Sequence, residues 1–112
     1  MKKTRNFIPL TPINFLQRSA EIFPKYKSII SENETFTWEK TYMRCRLFSS
    51  ALKKRGIKKG HVVSILCPNT KEMYEAHFSI PMSGAIINTI NTRLHYKEID
   101  YILSNSKSKL LI

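Results

Sequence analysis

A chain of 112 residues holds one compact domain and no more. Its 42% hydrophobic and 24% charged residues exclude wholesale disorder. The net charge of +11, from 19 Lys and Arg against 8 acidic residues, favours anionic partners or is a lysine-rich surface kept for solubility.

Thr11-Pro12 reads as a helix start, with Thr as N-cap and Pro at the first helical position. Phe15, Leu16, Ala20 and Phe23 give that helix one apolar face up to Pro24. Two short β-prone runs follow, Tyr26 to Ser31 and Thr35 to Thr37, and the polar Glu32-Asn33-Glu34 between them predicts a hairpin. Thr37 caps a second helix in which Trp38, Tyr42, Cys45, Phe48 and Leu52 recur at helical spacing. Lys53-Lys54-Arg55 suits the negative end of its dipole, and Gly56 stops it. After Gly60, the β-branched run Val62 to Leu66 predicts a buried strand. Pro68-Asn69 ends it, and Asn69 with Glu72 forms a capping box for a third helix. That helix presents Met73, Ala76, His77 and Ile80 before Pro81 and Gly84 terminate it. Ala85 to Thr89 is the next strand, Tyr96 to Asn105 a helix with Ile99, Ile102 and Leu103 inward, and Leu110-Leu111-Ile112 the start of another strand.

The second half therefore alternates strand and helix, which predicts an α/β fold: a partial parallel sheet with flanking helices, preceded by a helix and a β-hairpin. The chain stops inside an apparent strand, as a truncated domain would. Cys45 and Cys67 form no disulfide framework and sit in apolar surroundings, as reduced thiols do. Met1-Lys2-Lys3 is followed by no apolar leader segment, because Asn6, Pro9, Thr11, Pro12 and Asn14 interrupt it. No apolar run approaches the ~20 residues needed to span a bilayer. The expectation is a cytoplasmic chain without a transmembrane segment.

Chemistry is sparse. Gly56, Gly60 and Gly84 lie too far apart for a phosphate cradle. Glu72 and Glu75 read as helix neighbours on a solvated face, not as an acid–base pair. His61, His77 and His95 show no metal-ligand spacing, and His77 on an apolar helix face reads as a packed core or boundary residue. Cys67 stands at the C-terminal edge of a strand, where open α/β sheets place ligands, but no activating His is beside it in sequence. Trp38, Tyr42 and Phe48 fit a helix core better than a base-stacking platform. No catalytic residue and no metal ligand is predicted. Arg93 is the exception among these side chains. It lies in the polar loop Asn91-Thr92-Arg93 between a strand and a helix, where a guanidinium can grip a phosphate with two parallel hydrogen bonds. The sequence leaves that role and a solvated loop arginine both open.

Read end to end, the motifs resemble the N-terminal region of the AMP-forming acyl-CoA synthetases, within the acyl-activating, adenylate-forming ligases. Leu10-Thr11-Pro12 with Phe15-Leu16, Arg18 and Ala20 is similar to the start of the medium/short-chain and plant-type branch. Phe36-Thr37-Trp38-Glu39, Ala51-Leu52 through Gly60, Pro68-Asn69, Gly84-Ala85 and Asn91-Thr92-Arg93-Leu94 follow in family order. The resemblance implies that residues 1–112 are the opening of the large AMP-binding domain, with no complete second domain. It implies activation of a fatty or related carboxylic acid with ATP to an acyl-adenylate, then transfer to coenzyme A, with Mg2+ assisting the first step. The family's phosphate loop, adenine motif and C-terminal lysine have no counterpart here, so no cofactor site is expected within this chain and the chain alone should be inactive. Arg93 is the one carry-over, as a coenzyme A phosphate contact. His61 departs from the family's Asp after the second Gly, and His95 from its Ser or Asp helix cap. The rival readings are a small basic α/β module binding nucleic acid or a phosphorylated ligand, and a stand-alone flavodoxin-like domain, which the low element count and missing phosphate loop disfavour. The resemblance implies no specific nucleic acid partner and leaves the oligomeric state open.

Overall fold

The computed structural model describes residues 10–112. The leader reading rests largely on Met1-Lys2-Lys3, Asn6 and Pro9, which lie outside them. The described elements are α1 (Pro12–Ile22), β1 (Lys27–Ile30), β2 (Thr35–Thr37), α2 (Trp38–Lys54), β3 (Val62–Leu66), α3 (Lys71–Met82), β4 (Ile86–Ile90), α4 (Tyr96–Ser106) and β5 (Ser108–Leu111). β1 and β2 pair antiparallel, while β4, β3 and β5 form a parallel sheet in that order. The α/β class, the hairpin and the parallel sheet are as the sequence predicts.

Local chemistry sets most boundaries. The Asn14 N–H donates to Thr11 Oγ1 at 3.2 Å, and Lys40 N–H to Thr37 Oγ1 at 3.3 Å, so both predicted threonine caps form. The hairpin closes through Ser31 and Glu34, each donating its N–H to the other's carbonyl. Two expectations for α3 need correction. Its N-cap is Thr70, whose Oγ1 accepts the Met73 N–H at 3.4 Å, in place of Asn69. At its far end the helix runs through Pro81 to Met82. The fixed φ of proline suits a helix, but Pro81 gives up an N–H bond and crowds the carbonyl four residues back, and the helix ends one residue later. β4 starts one residue later than expected: Ala85 follows the Ser83-Gly84 turn, and the Ile86 N–H then donates to the His61 carbonyl at 2.8 Å.

His95 caps α4 after all. Its Nδ1 accepts from the Lys97 N–H, and the Glu98 carboxylate accepts the His95 N–H, both at 3.3 Å. The departure from the family's usual Ser or Asp thus keeps the capping function.

β3 is the central strand. The crossover through α3 brings β4 to one side of it and the crossover through α4 brings β5 to the other. Val63, Ile65, Cys67, Ile87 and Leu110 share one sheet face and pack with Leu52, Ile57, Met73, Ala76, Ile80 and Ala85 as the main core. The opposite face carries a polar bridge, in which the Asn88 amide donates to Ser64 Oγ at 3.1 Å and Ser106 Oγ at 3.4 Å. In α2 the buried stripe is Thr41, Cys45, Ser49 and Leu52, with Trp38, Tyr42 and Phe48 half-buried beside it. Small residues let α2 approach its neighbours closely, and Thr41 is held inward by a hydroxyl–hydroxyl bond to Ser28. Ile99, Ile102 and Leu103 of α4 are only half-buried.

Candidate functional site

The ends of β3 and β4 set the site. Both strands run in the same direction, so Cys67-Pro68-Asn69 after β3 and Asn91-Thr92-Arg93 after β4 emerge together at the C-terminal edge of the sheet. They line an open cleft of about 650 Å³ together with Met73, Thr89 and Ile90. Asn91 shapes its rim: the Arg93 N–H donates to Asn91 Oδ1 at 2.9 Å, a side-chain turn that fixes the loop before α4. The Arg93 side chain is exposed, and among the described residues no carboxylate pairs with it. Its charge is therefore available to an anion entering the cleft.

The other candidates disperse. Cys67 shares the cleft, but its polar neighbour is the Thr70 hydroxyl at 3.4 Å, not an imidazole. His61 sits at the opposite end of β3, where Nδ1 accepts the Lys58 N–H at 3.0 Å. His77 is exposed, not packed as expected, and its Nδ1 lies 2.7 Å from the Met73 carbonyl of its own helix. The glycines lie far from the cleft as well. The Gly60 N–H donates to the Gly84 carbonyl at 3.0 Å, joining the turns at the N-terminal ends of β3 and β4. At Gly84, φ is +87° and an added Cβ would meet Lys59 Cα at 3.3 Å, so glycine is required there for shape. Among the described residues no three His, Cys, Asp or Glu side chains converge.

One buried cluster escaped the sequence reading. Glu75 is 6% exposed, and Arg44 Nε donates to its two carboxylate oxygens at 3.0 and 3.1 Å. The Arg44 guanidinium lies 4.9 Å from the centre of the buried Phe36 ring, with Lys40 and Lys71 at 5.2 and 5.3 Å. Lys71 also pairs with Glu34, and that hydrogen bond holds its pKa above the usual lysine value. The cause of the error is geometric. Met73, Ala76 and Ile80 turn α3 towards the sheet, while Glu75 and Ser79 turn it towards α2. A helix buried on two sides carries no single apolar stripe to read. The available signal was Glu75 and Ser79 one turn apart beside Ala76 and Ile80.

Cys45 belongs to the same layer, its Sγ 3.7 Å from the Glu75 carbonyl oxygen. Burial, then the charge of Glu75, pushes its thiol from 9.0 up to about 12. Above pH 9.0 the unfolded thiol loses its proton while the folded one keeps it, so this stabilisation is full below 9.0 and lost as pH rises through about 12. Between about pH 8 and 10.5 the chain should lose roughly 2 kcal/mol more stability than its Cys45→Ala variant. Urea unfolding of both proteins at the two pH values measures this, and equal losses would refute it.

Comparison with known proteins fixes the lineage. The profile described as AMP-binding enzyme matches residues 16–112. This chain belongs to the AMP-binding enzyme family. Among curated family members it is 48% identical over 106 residues to a trans-cinnamate:CoA ligase, peroxisomal, of Petunia hybrida, covering 95% of this chain and 19% of the relative. It is 49% identical over 106 residues to a butyrate–CoA ligase, peroxisomal, of Arabidopsis thaliana, covering 95% and 18%. The chain thus spans about a fifth of the length of the curated relatives it matches. Among solved structures, a fatty acyl CoA synthetase of Mycobacterium tuberculosis superposes with a TM-score of 0.84 at 29% identity, over 88% of this chain and 20% of that one. The N-terminal subdomain of Klebsiella oxytoca NpsA gives 0.83 at 20% identity, over 90% and 26%, a likeness of fold alone. Among the described residues no helix is long and apolar enough to cross a membrane.

Proposed function

We propose that this AMP-binding family chain is the opening part of the large domain of an acyl-CoA ligase. The whole enzyme would join a fatty or related carboxylic acid to ATP as an acyl-adenylate and then pass the acyl group to coenzyme A. The identity to CoA ligases of petunia and Arabidopsis across 95% of the chain supports the activity. The observation that carries the site is the unpaired Arg93 on the rim of the cleft beyond β3 and β4.

In this reading the cleft is an approach for coenzyme A, and Arg93 donates two parallel hydrogen bonds to one of its phosphates. The Asn91 turn orients the loop, and the strand ends hold it against the sheet. Adenylation is assigned to no residue here: the glycines are committed to turns, and Glu75, the buried carboxylate, is committed to Arg44. The 112-residue chain alone should therefore give no ATP–pyrophosphate exchange above blank. The proposed compartment is the cytoplasm, which would keep the free thiols Cys45 and Cys67 reduced. The petunia and Arabidopsis relatives are named peroxisomal, and co-localisation of the tagged chain with a peroxisomal marker would overturn that placement.

A chimera tests the site, with residues 10–112 replacing the matching segment of the petunia ligase. Arg93→Ala should raise its KM for coenzyme A roughly 10- to 100-fold, the worth of a charge-assisted contact, while ATP–pyrophosphate exchange stays unchanged. Arg93→Lys should recover part of the loss. An unchanged KM for coenzyme A would remove Arg93 from the site. Exchange by the 112-residue chain alone would overturn its assigned inactivity.

A further inference from the structure

The outer side of α2 has no role in the fold or in the cleft. Met43 and Leu47, one turn apart, are 52% and 64% exposed. Ser50, Ala51 and Lys54 continue the same side and are exposed as well, a ridge with one hollow beside Ser50 and Lys53 and another beside Ala51 and Arg55. Cations flank it: Lys40, Arg46 and Lys53 are exposed, while the helix carries a single acid, Glu39, already bonded to Lys25 at 2.8 Å.

Further exposed apolar side chains stand beside the helix start. The Glu39 N–H donates to the Pro24 carbonyl and the Trp38 N–H to the Tyr26 carbonyl, at 3.1 and 2.9 Å, seating the preceding turn against the first turn of α2. That turn carries Phe23 and Tyr26, 47% and 66% exposed, their rings 5.1 Å apart. An exposed aromatic pair thus stands beside the first turn of α2, and two aliphatic side chains with a cationic border run along the helix itself.

We propose that this ridge docks the protein on an anionic lipid surface, with α2 lying flat and Met43, Leu47 and the Phe23–Tyr26 pair entering the headgroup boundary. Charge complementarity names the occupant: 19 cations against 8 acids overall, and an almost acid-free helix here. Met43 and Leu47 gain nothing from a phosphodiester backbone, which argues against nucleic acid. Interfacial aromatics and basic side chains that reach up to the headgroups are the features a bilayer surface rewards.

The test is sedimentation of the 112-residue chain with vesicles, using neutral phosphatidylcholine alone or with about 30% phosphatidylserine. Each cation near an anionic bilayer is worth a factor of about five, so Lys40, Arg46, Lys53 and Lys54 should together favour the anionic vesicles at least ~100-fold. Binding should collapse at about 0.5 M salt. The double variant Met43→Gln, Leu47→Gln should bind at least ~10-fold more weakly, as should the charge variant Lys53→Glu, Lys54→Glu. All four sites are exposed, and unchanged far-UV circular dichroism verifies that each variant is folded. Equal binding to both vesicle types overturns the proposal, as does undiminished binding by both folded variants. Binding to polyglutamate but not to vesicles also overturns it and reassigns the ridge to an acidic protein.

Discussion

Arg44→Ala is expected to destabilise the folded chain by about 3–4 kcal/mol, because it strands the Glu75 carboxylate between α2 and α3. Glu75 is 6% exposed and water cannot easily replace the guanidinium. The same substitution removes the cation from the face of Phe36 and with it a link between the hairpin and α2. Against a usual domain stability of about 5–15 kcal/mol, a loss of that size consumes much of the margin. Glu75→Ala should cost less, since the Arg44 side chain is 34% exposed and can turn towards solvent. The double variant Arg44→Met, Glu75→Leu should recover most of the loss, since the desolvation cost of both charges disappears with them. Urea unfolding of the four proteins decides it, and a double variant no more stable than Arg44→Ala would show that the pair does more than satisfy its own charges.

Ile80→Ala should cost a comparable 3–4 kcal/mol for a different reason. Ile80 is fully buried in the cluster that joins α3 to the sheet. Truncation there loses transfer energy and leaves a cavity that β3 and β4 cannot close without breaking register. Ile80→Val, losing one methylene, should cost about 1 kcal/mol. Leu47→Ala on the outer side of α2 should stay within about 0.5 kcal/mol, since it is exposed. The order of urea midpoints across the three variants checks the packing, and a large loss at Leu47 would contradict the exposed ridge.

These two sites also mark the limits of the sequence reading. Ile80 was legible because it recurs with Met73 and Ala76 on one helix face and the neighbouring strand is a short β-branched run. Thr11, Thr37 and the hairpin turn were legible because caps and turns are set within three or four residues. The placement of Arg93 followed from strand, polar loop and helix in a parallel sheet, since that alternation fixes which edge the loop occupies. Glu75 was not legible. Its partner Arg44 lies 31 residues away, and only the packing of two helices brings them together. The stripe on α2 was legible in part: Cys45 and Leu52 are buried as the spacing predicts, whereas close helix contact favours the smaller Thr41 and Ser49 over Trp38, Tyr42 and Phe48. His77 shows the same effect in reverse, an apolar sequence neighbourhood around an exposed side chain.

The position of β3 bears on the order in which the sheet assembles during synthesis. Once Ile90 has left the ribosome, β3 can pair with β4, but its other side remains a bare row of amides and carbonyls. That row is satisfied only when β5 arrives, and its last bonds are Leu66 N–H to the Ile112 carbonyl and Ile112 N–H to the Ser64 carbonyl. Until then the most hydrophobic strand in the sheet is an open template for any other extended segment nearby. The growing polypeptide thus passes through a stretch in which holding its central strand apart from neighbours matters more than any single contact formed later.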